Sequence, residues 1–407
     1  MRESTGEPGT GNTGTSRSTA ASGAETSRPP PRRHDIDWLR IVAVLLLIPY
    51  HTARVFDANE DFYVHNAQSS GALTTLVELM SPWHMALLFV LAGSASWFGL
   101  GRRGGGGYLG ERVRRLLVPF VFGLIVLVPP QTYLGALSHG VTSDSYAAYY
   151  PTFWTTADED LTGYEGGFTP GHLWFILFLF AYALLAVGLF VWMRRGGGHR
   201  LVDWFAAACR VPGMVIVLPA AILLAQQALV PMDDLSGQTP VGFFLLFVIG
   251  FVMVADERVT AAIDRQWWWA LLLGIAAMAL RAELWPGLED YPDPSWQDTV
   301  VNTLGYQVGL WMVIVGLMGL FHRYADRKGG AYTYATEAAY PFYILHQTVI
   351  VLVAYVVVQW GVGIPVKFTL IAATSFALTV AVYEVAVRRW TVVRPLFGMK
   401  PKRRHTM

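Results

Sequence analysis

The feature that most constrains this chain is a series of ten apolar blocks, most of them about as long as a bilayer is thick. They lie near 36–56, 74–100, 116–137, 172–193, 211–231, 240–255, 267–285, 297–321, 339–359 and 365–387. A helix of ~20 residues crosses about 30 Å of hydrocarbon. Only 14% of the 407 residues are charged, whereas soluble domains carry about 25%. The sequence therefore predicts an all-α, polytopic membrane bundle of about ten transmembrane helices.

Charged residues between the apolar blocks alternate in sign along the chain. If the N-terminus is inside, the inner segments carry Arg and Lys, and the outer segments carry Asp and Glu. The basic inner segments are 28–33, 102–115, 194–210, 258–265, 323–328 and 388–404, and the acidic outer segments are 57–61, 158–165, 233–234 and 289–293. By the positive-inside rule, this segregation predicts cytoplasmic N- and C-termini and a multi-pass protein of the inner membrane.

The two ends of the chain differ from its apolar middle. Residues 1–34 are rich in Gly, Ser, Thr, Pro and Arg, which predicts a disordered cytoplasmic tail. Residues 35–390 form the predicted membrane domain, and 391–407 form a basic cytoplasmic tail. The net charge of +1 gives no general attraction for nucleic acid, and the single cysteine, Cys209, excludes an internal disulfide and a Cys-based metal site. Neither a metal nor a bound cofactor is expected.

Ionisable side chains within a span are costly to bury and are therefore candidate functional residues. Arg40 and His51 are eleven residues apart in the first block, which predicts one shared helical stripe and ~16 Å between them along the axis. Asp37 lies one turn before Arg40 and can pair with it. An imidazole can remove a proton from a hydroxyl, and a guanidinium can hold a phosphate or carboxylate. The alternative is structural, with His51 bonding between helices and Arg40 snorkelling.

Three further histidines, His84, His172 and His346, lie in or at the ends of predicted spans. Each alone is more readily explained as structural, but together with His51 they indicate a polar interior. The outer loop at about 138–171 is rich in Tyr and Trp. Its aromatic rings either pack over a cavity and stack on sugar faces or form the interfacial aromatic belt.

Charged residues at the inner ends of two spans are also candidates. Arg112 and Arg115 share a helical face at the start of the third span. They either bind the phosphates of a cytoplasmic ligand or only mark the inner side. Glu384 lies one turn before the inner end of the last span, where it can pair with a nearby Arg or orient a site residue.

The spacing Asp37-x-x-Arg40-x10-His51 resembles the first helix of the membrane acyltransferase-3 family. Further stretches resemble the family in the same order: Pro82-Trp83-His84-Met85, Phe89 to Gly93, Arg112-x-x-Arg115, His172-Leu173-Trp174-Phe175, Gly309-Leu310-Trp311, Tyr343 to Gln347 and Tyr383-Glu384. The last three are most similar to the glucan-biosynthesis protein C branch, which succinylates periplasmic glucans. The sequence departs from many members at Ala92, where they have Ser, and at Gln347, where some have His.

The resemblance implies an acyl-CoA donor used from the cytoplasm and a hydroxyl acceptor, such as an envelope glycan, met on the outer side. It implies that His51 and Arg40 are the essential pair, and we add His346 and Glu384 as candidate orienting groups. Substrate contacts would come from Asp37, Arg112, Arg115, His84, His172 and Trp174. The acyl group, acetyl or succinyl, and the acceptor stay undetermined at this point.

The function expected from these features is membrane O-acyl transfer, with His51 as general base on the acceptor hydroxyl. A transporter or flippase of glycan or lipid-linked intermediates is the alternative, because it would share the topology and the intramembrane charges. Transporters commonly show interrupted helices in corresponding halves, and the sequence has no convincing internal symmetry.

Overall fold

The computed structural model describes residues 33–58, 62–157, 161–230, 239–284, 296–325 and 327–401, and these ranges contain helices and connections but no strand. The helices are α1 (His34–Leu45), α2 (Leu47–Ala53), α3 (Gly71–Arg112), α4 (Val118–Val126), α5 (Val128–Ser138), α6 (Tyr146–Thr155), α7 (Trp174–Met193), α8 (Gly196–Ala208), α9 (Met214–Leu229), α10 (Pro240–Met253), α11 (Glu257–Leu284), α12 (Trp296–Tyr324), α13 (Gly330–Val357) and α14 (Ile364–Val382). The predicted all-α architecture is confirmed for these residues.

Several predictions concern residues outside the described ranges. These are the N-terminal tail up to residue 32, most of the acidic residues of the outer segments, and the last basic residues, 402–404.

Six helical stretches are long and apolar enough to cross a membrane: His34–Ala53, Gly71–Ser138, Gly171–Met193, Val301–Tyr324, Gly330–Val357 and Ile364–Val387. A seventh candidate is the pair Pro240–Met253 and Glu257–Glu283, whose axes bend by 106°. The stretch Gly71–Ser138 has 68 residues and bends at Gly104, which has a left-handed φ of +69°. The protein is thus a multi-pass membrane protein.

The first predicted span, His34–Ala53, is one helical stretch with a single turn residue, Leu46, between α1, which carries Arg40, and α2, which carries His51. Leu46 keeps a right-handed helical φ of −65°, and its backbone N–H donates to the Val42 carbonyl at 2.9 Å as in a regular helix. Arg40 and His51 are both half-buried, and they lie toward opposite ends of this span.

Helix α13 packs against α1, α2, α5 and α14, and its residues 341–348 are all buried. Outside this run, the ammonium group of Lys367 in α14 is buried and donates to Asn66 Oδ1 at 2.8 Å and to the Val358 carbonyl at 2.7 Å. These bonds tie the segment after α2 to the connection between α13 and α14.

The C-terminal residues fold back onto the bundle. A π turn, Tyr383–Val387, ends the last span, and a short 3-10 turn follows at Arg394–Phe397. Phe397 and Met399 are buried, and this segment packs against α4 and α13. Residues 394–399 of the expected basic tail therefore lie against the helices of the bundle.

Helices α3 and α10 approach closely through glycines. A Cβ atom on Gly250 would overlap the Val90 carbonyl, and one on Gly93 would overlap the Phe247 carbonyl. Small residues allow such backbone contact between helices in a membrane.

We expect Gly250→Ala to destabilise the protein by about 1–3 kcal/mol, because the new methyl group meets a backbone carbonyl that cannot move as a side chain does. Thermal unfolding in detergent measures the effect. Gly188→Ala in α7 is the control, since no atom lies within 4 Å of the added Cβ. Equal melting temperatures for both variants would contradict the close approach.

Candidate functional site

Four histidines that the sequence places far apart come together between α2, α3, α13 and the turn before α7. The ring centroids of His51 and His346 are 5.3 Å apart, and those of His346 and His172 are also 5.3 Å apart. His84 joins the group through Tyr50, whose ring lies 5.9 Å from His84 and 5.1 Å from His51. The cluster forms the polar interior that the isolated histidines indicated.

Two of these histidines are engaged in helix-to-helix hydrogen bonds. His84 Nε2 donates to the Ala43 carbonyl at 2.7 Å, near Leu46 in the first span. His172 Nε2 donates to the Ile344 carbonyl at 2.9 Å, and Gln131 Nε2 donates to His172 Nδ1 at 3.3 Å. His172 thus uses both ring nitrogens, which favours a structural role for this ring.

His51 and His346 each keep an unpaired ring nitrogen. His346 Nδ1 donates to the Tyr343 carbonyl at 2.5 Å, which leaves a lone pair on Nε2 in the neutral ring. His346 Nε2 and His51 Nδ1 are both buried and have no hydrogen-bond partner in the described part of the chain. Buried polar atoms are normally paired, so two unpaired imidazole nitrogens on adjacent rings indicate a place where a hydroxyl can bind.

One side of His51 is covered by an aromatic ring and a buried ion pair. Phe62 stacks on His51 with 6.1 Å between centroids, and the Arg54 guanidinium lies 5.8 Å from the Phe62 centroid. Arg54 donates to Asp57 at 2.8 Å, and both side chains are buried. The Asp57 carboxylate also raises the pKa of His65 in the connection after α2. Sequence reasoning gave these charges no role, although the Arg54 and Asp57 spacing of three suggests a pair.

Arg40 lies at a different depth from the histidines. Its Nη1 donates to Asp37 Oδ1 at 3.1 Å, and the Tyr332 hydroxyl donates to Asp37 Oδ2 at 2.6 Å. Arg40 and Arg115 are close enough for their charges to interact. No contact joins Arg40 to His51 within the described residues, so the structure places the two predicted partners in separate clusters.

Two further cations, Arg112 and Arg115, lie at this end of the bundle. Arg112 Nη2 donates to Ser96 Oγ at 3.1 Å, and its guanidinium lies 4.6 Å from the Tyr108 ring centroid. Arg115 Nε donates to the Gly398 carbonyl at 3.3 Å. Arg112 directly precedes a π turn, Val113–Leu117, and Arg115 lies within it, so the two arginines reach different partners instead of sharing an ordinary helical face.

Two predicted site residues lie elsewhere. Glu384 is ion-paired with Arg388 at 3.0 Å, in a charged group that also contains Glu337 and Arg394. Trp174 stacks on Phe243 with 5.5 Å between ring centroids, away from the imidazole pair. The structure does not bring either residue to His51.

One stripe of α13 connects the cationic group with the histidines. Tyr340, Tyr343 and His346 follow each other at intervals of three, which places them along one side of the helix. The charges of Arg112 and Arg115 reach the Tyr340 hydroxyl, the Tyr343 hydroxyl donates to the His172 carbonyl, and the His346 ring faces His51. Tyr340 and His346 are ~9 Å apart along the axis. Neither tyrosine was assigned a role from the sequence, although Tyr343 lies in a stretch that resembles the family and both lie at intervals of three from His346.

In the described ranges, no group of three or more His, Cys, Asp or Glu side chains is arranged to hold a metal ion. The arrangement instead combines proton-accepting nitrogens with a separate cationic group. Its chemistry is suited to a reaction between a hydroxyl and an anionic partner.

The comparisons with known proteins agree with this chemistry. A family model described as an acyltransferase domain, that of the acyltransferase-3 family, matches residues 33–384. Curated relatives include the glucans biosynthesis protein C of Salmonella paratyphi B, Salmonella dublin and Salmonella enteritidis. Each is 23% identical over 344 residues, which cover 79% of this chain and 83% of the relative. No solved structure matches the chain significantly. The match across most of the membrane domain confirms the resemblance seen in the motifs, and the chain belongs to the acyltransferase-3 family.

Proposed function

We propose that this protein is an inner-membrane O-acyltransferase that moves an acetyl or succinyl group from cytoplasmic acyl-CoA to a hydroxyl of an envelope glycan or another acceptor outside the cytoplasm. The observation that carries the proposal is the pair of unpaired nitrogens on His51 and His346, joined by α13 to a group of arginines. The family supports acyl transfer as the reaction class. The name of the Salmonella relatives, glucans biosynthesis protein C, supports a glucan as acceptor.

The topology that fits this reaction has ten spans and two cytoplasmic termini. The 68-residue stretch Gly71–Ser138 is long enough for two spans, divided near the bend at Gly104. α9, α10 and α11 would be one span each. The other five candidate stretches, which include the one formed by α7, bring the total to ten. Arg40, Arg112 and Arg115 then lie at the cytoplasmic end, as the distribution of basic residues favours.

The donor would bind at the cationic end. Arg112 and Arg115 form charge-assisted hydrogen bonds with the phosphates of acyl-CoA, and Arg40, oriented by Asp37, adds a third positive charge. The thioester arm then lies along α13 toward the histidines. Acyl-CoA is a substrate in this proposal, so no resident cofactor is required.

The acceptor hydroxyl would meet the thioester at the imidazole pair. His51 Nδ1 takes the hydroxyl proton while the oxygen attacks the thioester carbonyl, and the lone pair on His346 Nε2 stabilises the resulting imidazolium. The carbon–sulfur bond then breaks, and the proton passes to the departing thiolate. The products are an ester of the acceptor and free CoA, whose thiol carries the proton that left the acceptor.

Replacing His51 tests this assignment. We expect His51→Gln to reduce acceptor-dependent release of CoA from acyl-CoA by about 10²–10⁴-fold, since a positioned general base typically contributes that much. Thiol detection with purified protein and a glycan acceptor measures the release. His199→Gln, a change to an exposed histidine in α8, is the matched control. Release at the wild-type rate by His51→Gln would remove His51 from the chemistry.

The cationic group is tested through the donor. We expect Arg112→Ala with Arg115→Ala to raise the KM for acyl-CoA about tenfold or more, because each guanidinium bonds to a charged group. The exposed Arg265→Ala in α11 removes a cytoplasmic cation without touching this group and serves as control. An unchanged donor KM in the double variant would reduce the two arginines to signals of topology.

A further inference from the structure

The segment Arg394–Lys400, which we name the C-terminal strap, is fixed firmly to the bundle. The buried guanidinium of Arg394 donates to Glu337 Oε1 and to the Lys400 carbonyl, each at 2.7 Å, and to the Arg388 carbonyl at 3.2 Å. Phe397 packs edge-on against Phe122 of α4, with 5.4 Å between centroids. One arginine thus links the strap to α13 and to the end of the last span.

The tip of the strap touches two residues at the cationic end. Gly398 has a left-handed φ of +66°, and its carbonyl accepts from Arg115 Nε at 3.3 Å. A Cβ atom at Gly398 would lie 2.5 Å from the Tyr340 ring and 2.9 Å from the Arg115 carbonyl. Glycine is therefore needed here both for the backbone conformation and for the close approach.

Two hydrogen-bond donors at this end are buried without an acceptor. The Tyr340 hydroxyl and Arg112 Nε have no partner among the residues that the structure describes. Both arginine charges act on Tyr340. The carboxylate of Glu111 is paired with other groups: it lies 2.5 Å from Arg103 Nη1 and 3.5 Å from Arg115 Nη1. Two unpaired buried donors in a positive field form a site for an anionic oxygen.

We propose, on the basis of the proposed function, that Tyr340 and the C-terminal strap complete the donor site. The Tyr340 hydroxyl donates to a phosphate oxygen of acyl-CoA beside Arg112. Gly398 is a positioning residue, because its carbonyl holds Arg115 and its missing side chain gives room to the Tyr340 ring. With Arg40, the donor site then comprises residues from four parts of the chain, each more than 50 residues from the next in sequence.

Removing the Tyr340 hydroxyl tests its contact with the donor. We expect Tyr340→Phe to raise the KM for acyl-CoA about tenfold or more and to leave kcat within about twofold, because a bond to a charged group is lost while the chemistry is unchanged. Tyr355→Phe, fifteen residues further along α13, is the matched control. An unchanged KM in Tyr340→Phe, or an equal change in Tyr355→Phe, would overturn the assignment.

The strap is tested by adding one methyl group. We expect Gly398→Ala to raise the donor KM several-fold, since the Cβ displaces Tyr340 or Arg115. Gly213→Ala carries a similar left-handed strain, with φ +87°, but has no atom within 4 Å of its Cβ, so it controls for backbone strain alone. Equal donor KM values in these two variants would overturn the role of the strap.

Protection from chymotrypsin gives a measurement that does not depend on turnover. CoA should slow cleavage after Phe397 of the strap, followed by mass spectrometry, in the wild type and not in Tyr340→Phe, which also covers the case that Gly398→Ala fails to fold. Absence of protection in the wild type would contradict the strap as part of the site. The two proposals can be told apart. If the arginine double variant raises the KM for acyl-CoA while Tyr340→Phe and Gly398→Ala leave that KM unchanged, only the inference about Tyr340 and the strap is overturned. Failure of the wild type to release CoA would overturn the proposed function.

Discussion

The site depends on the cost of leaving polar atoms unpaired inside a membrane bundle. His84 and His172 meet this cost through bonds to backbone carbonyls of neighbouring helices. His51 Nδ1 and His346 Nε2 do not, as far as the described residues extend. Since hydrocarbon supplies no hydrogen bonds, such atoms persist where the fold holds them for another purpose. Their proximity gives the bundle a proton-accepting centre.

Helix α13 connects the histidine pair with the arginines at the other end of the site. Its tyrosines and His346 line one side, so the same element lies within the field of the arginines, donates to the His172 backbone and presents a ring to His51. A rigid helix fixes the distance between the arginines and the histidines. For a reaction between a donor from one side and an acceptor from the other, that distance has to match the reach of the donor's thioester arm.

The all-helical, multi-pass architecture could be predicted from the sequence, because length and apolar content respond directly to the bilayer. The described residues contain six candidate spans, or seven with the bent pair, so the count of ten stays a prediction. The separation of Arg40 from the histidines follows from the eleven-residue spacing between Arg40 and His51 along the first span. The spacing of Tyr340, Tyr343 and His346 was visible in the sequence. It could not be assigned a function, because the groups that lie beside α13 were not known. The role of Gly398 depends on a close approach between distant segments, which a single sequence does not encode locally.

The central claim is that His51 and His346 act as one unit on the acceptor hydroxyl. A double-mutant cycle measures this most directly, using acceptor-dependent CoA release by the wild type, His51→Gln, His346→Gln and the double variant. The account predicts that each single change slows release strongly and that the double variant is no slower than His51→Gln. Fully additive losses, or wild-type release by His346→Gln, would contradict it.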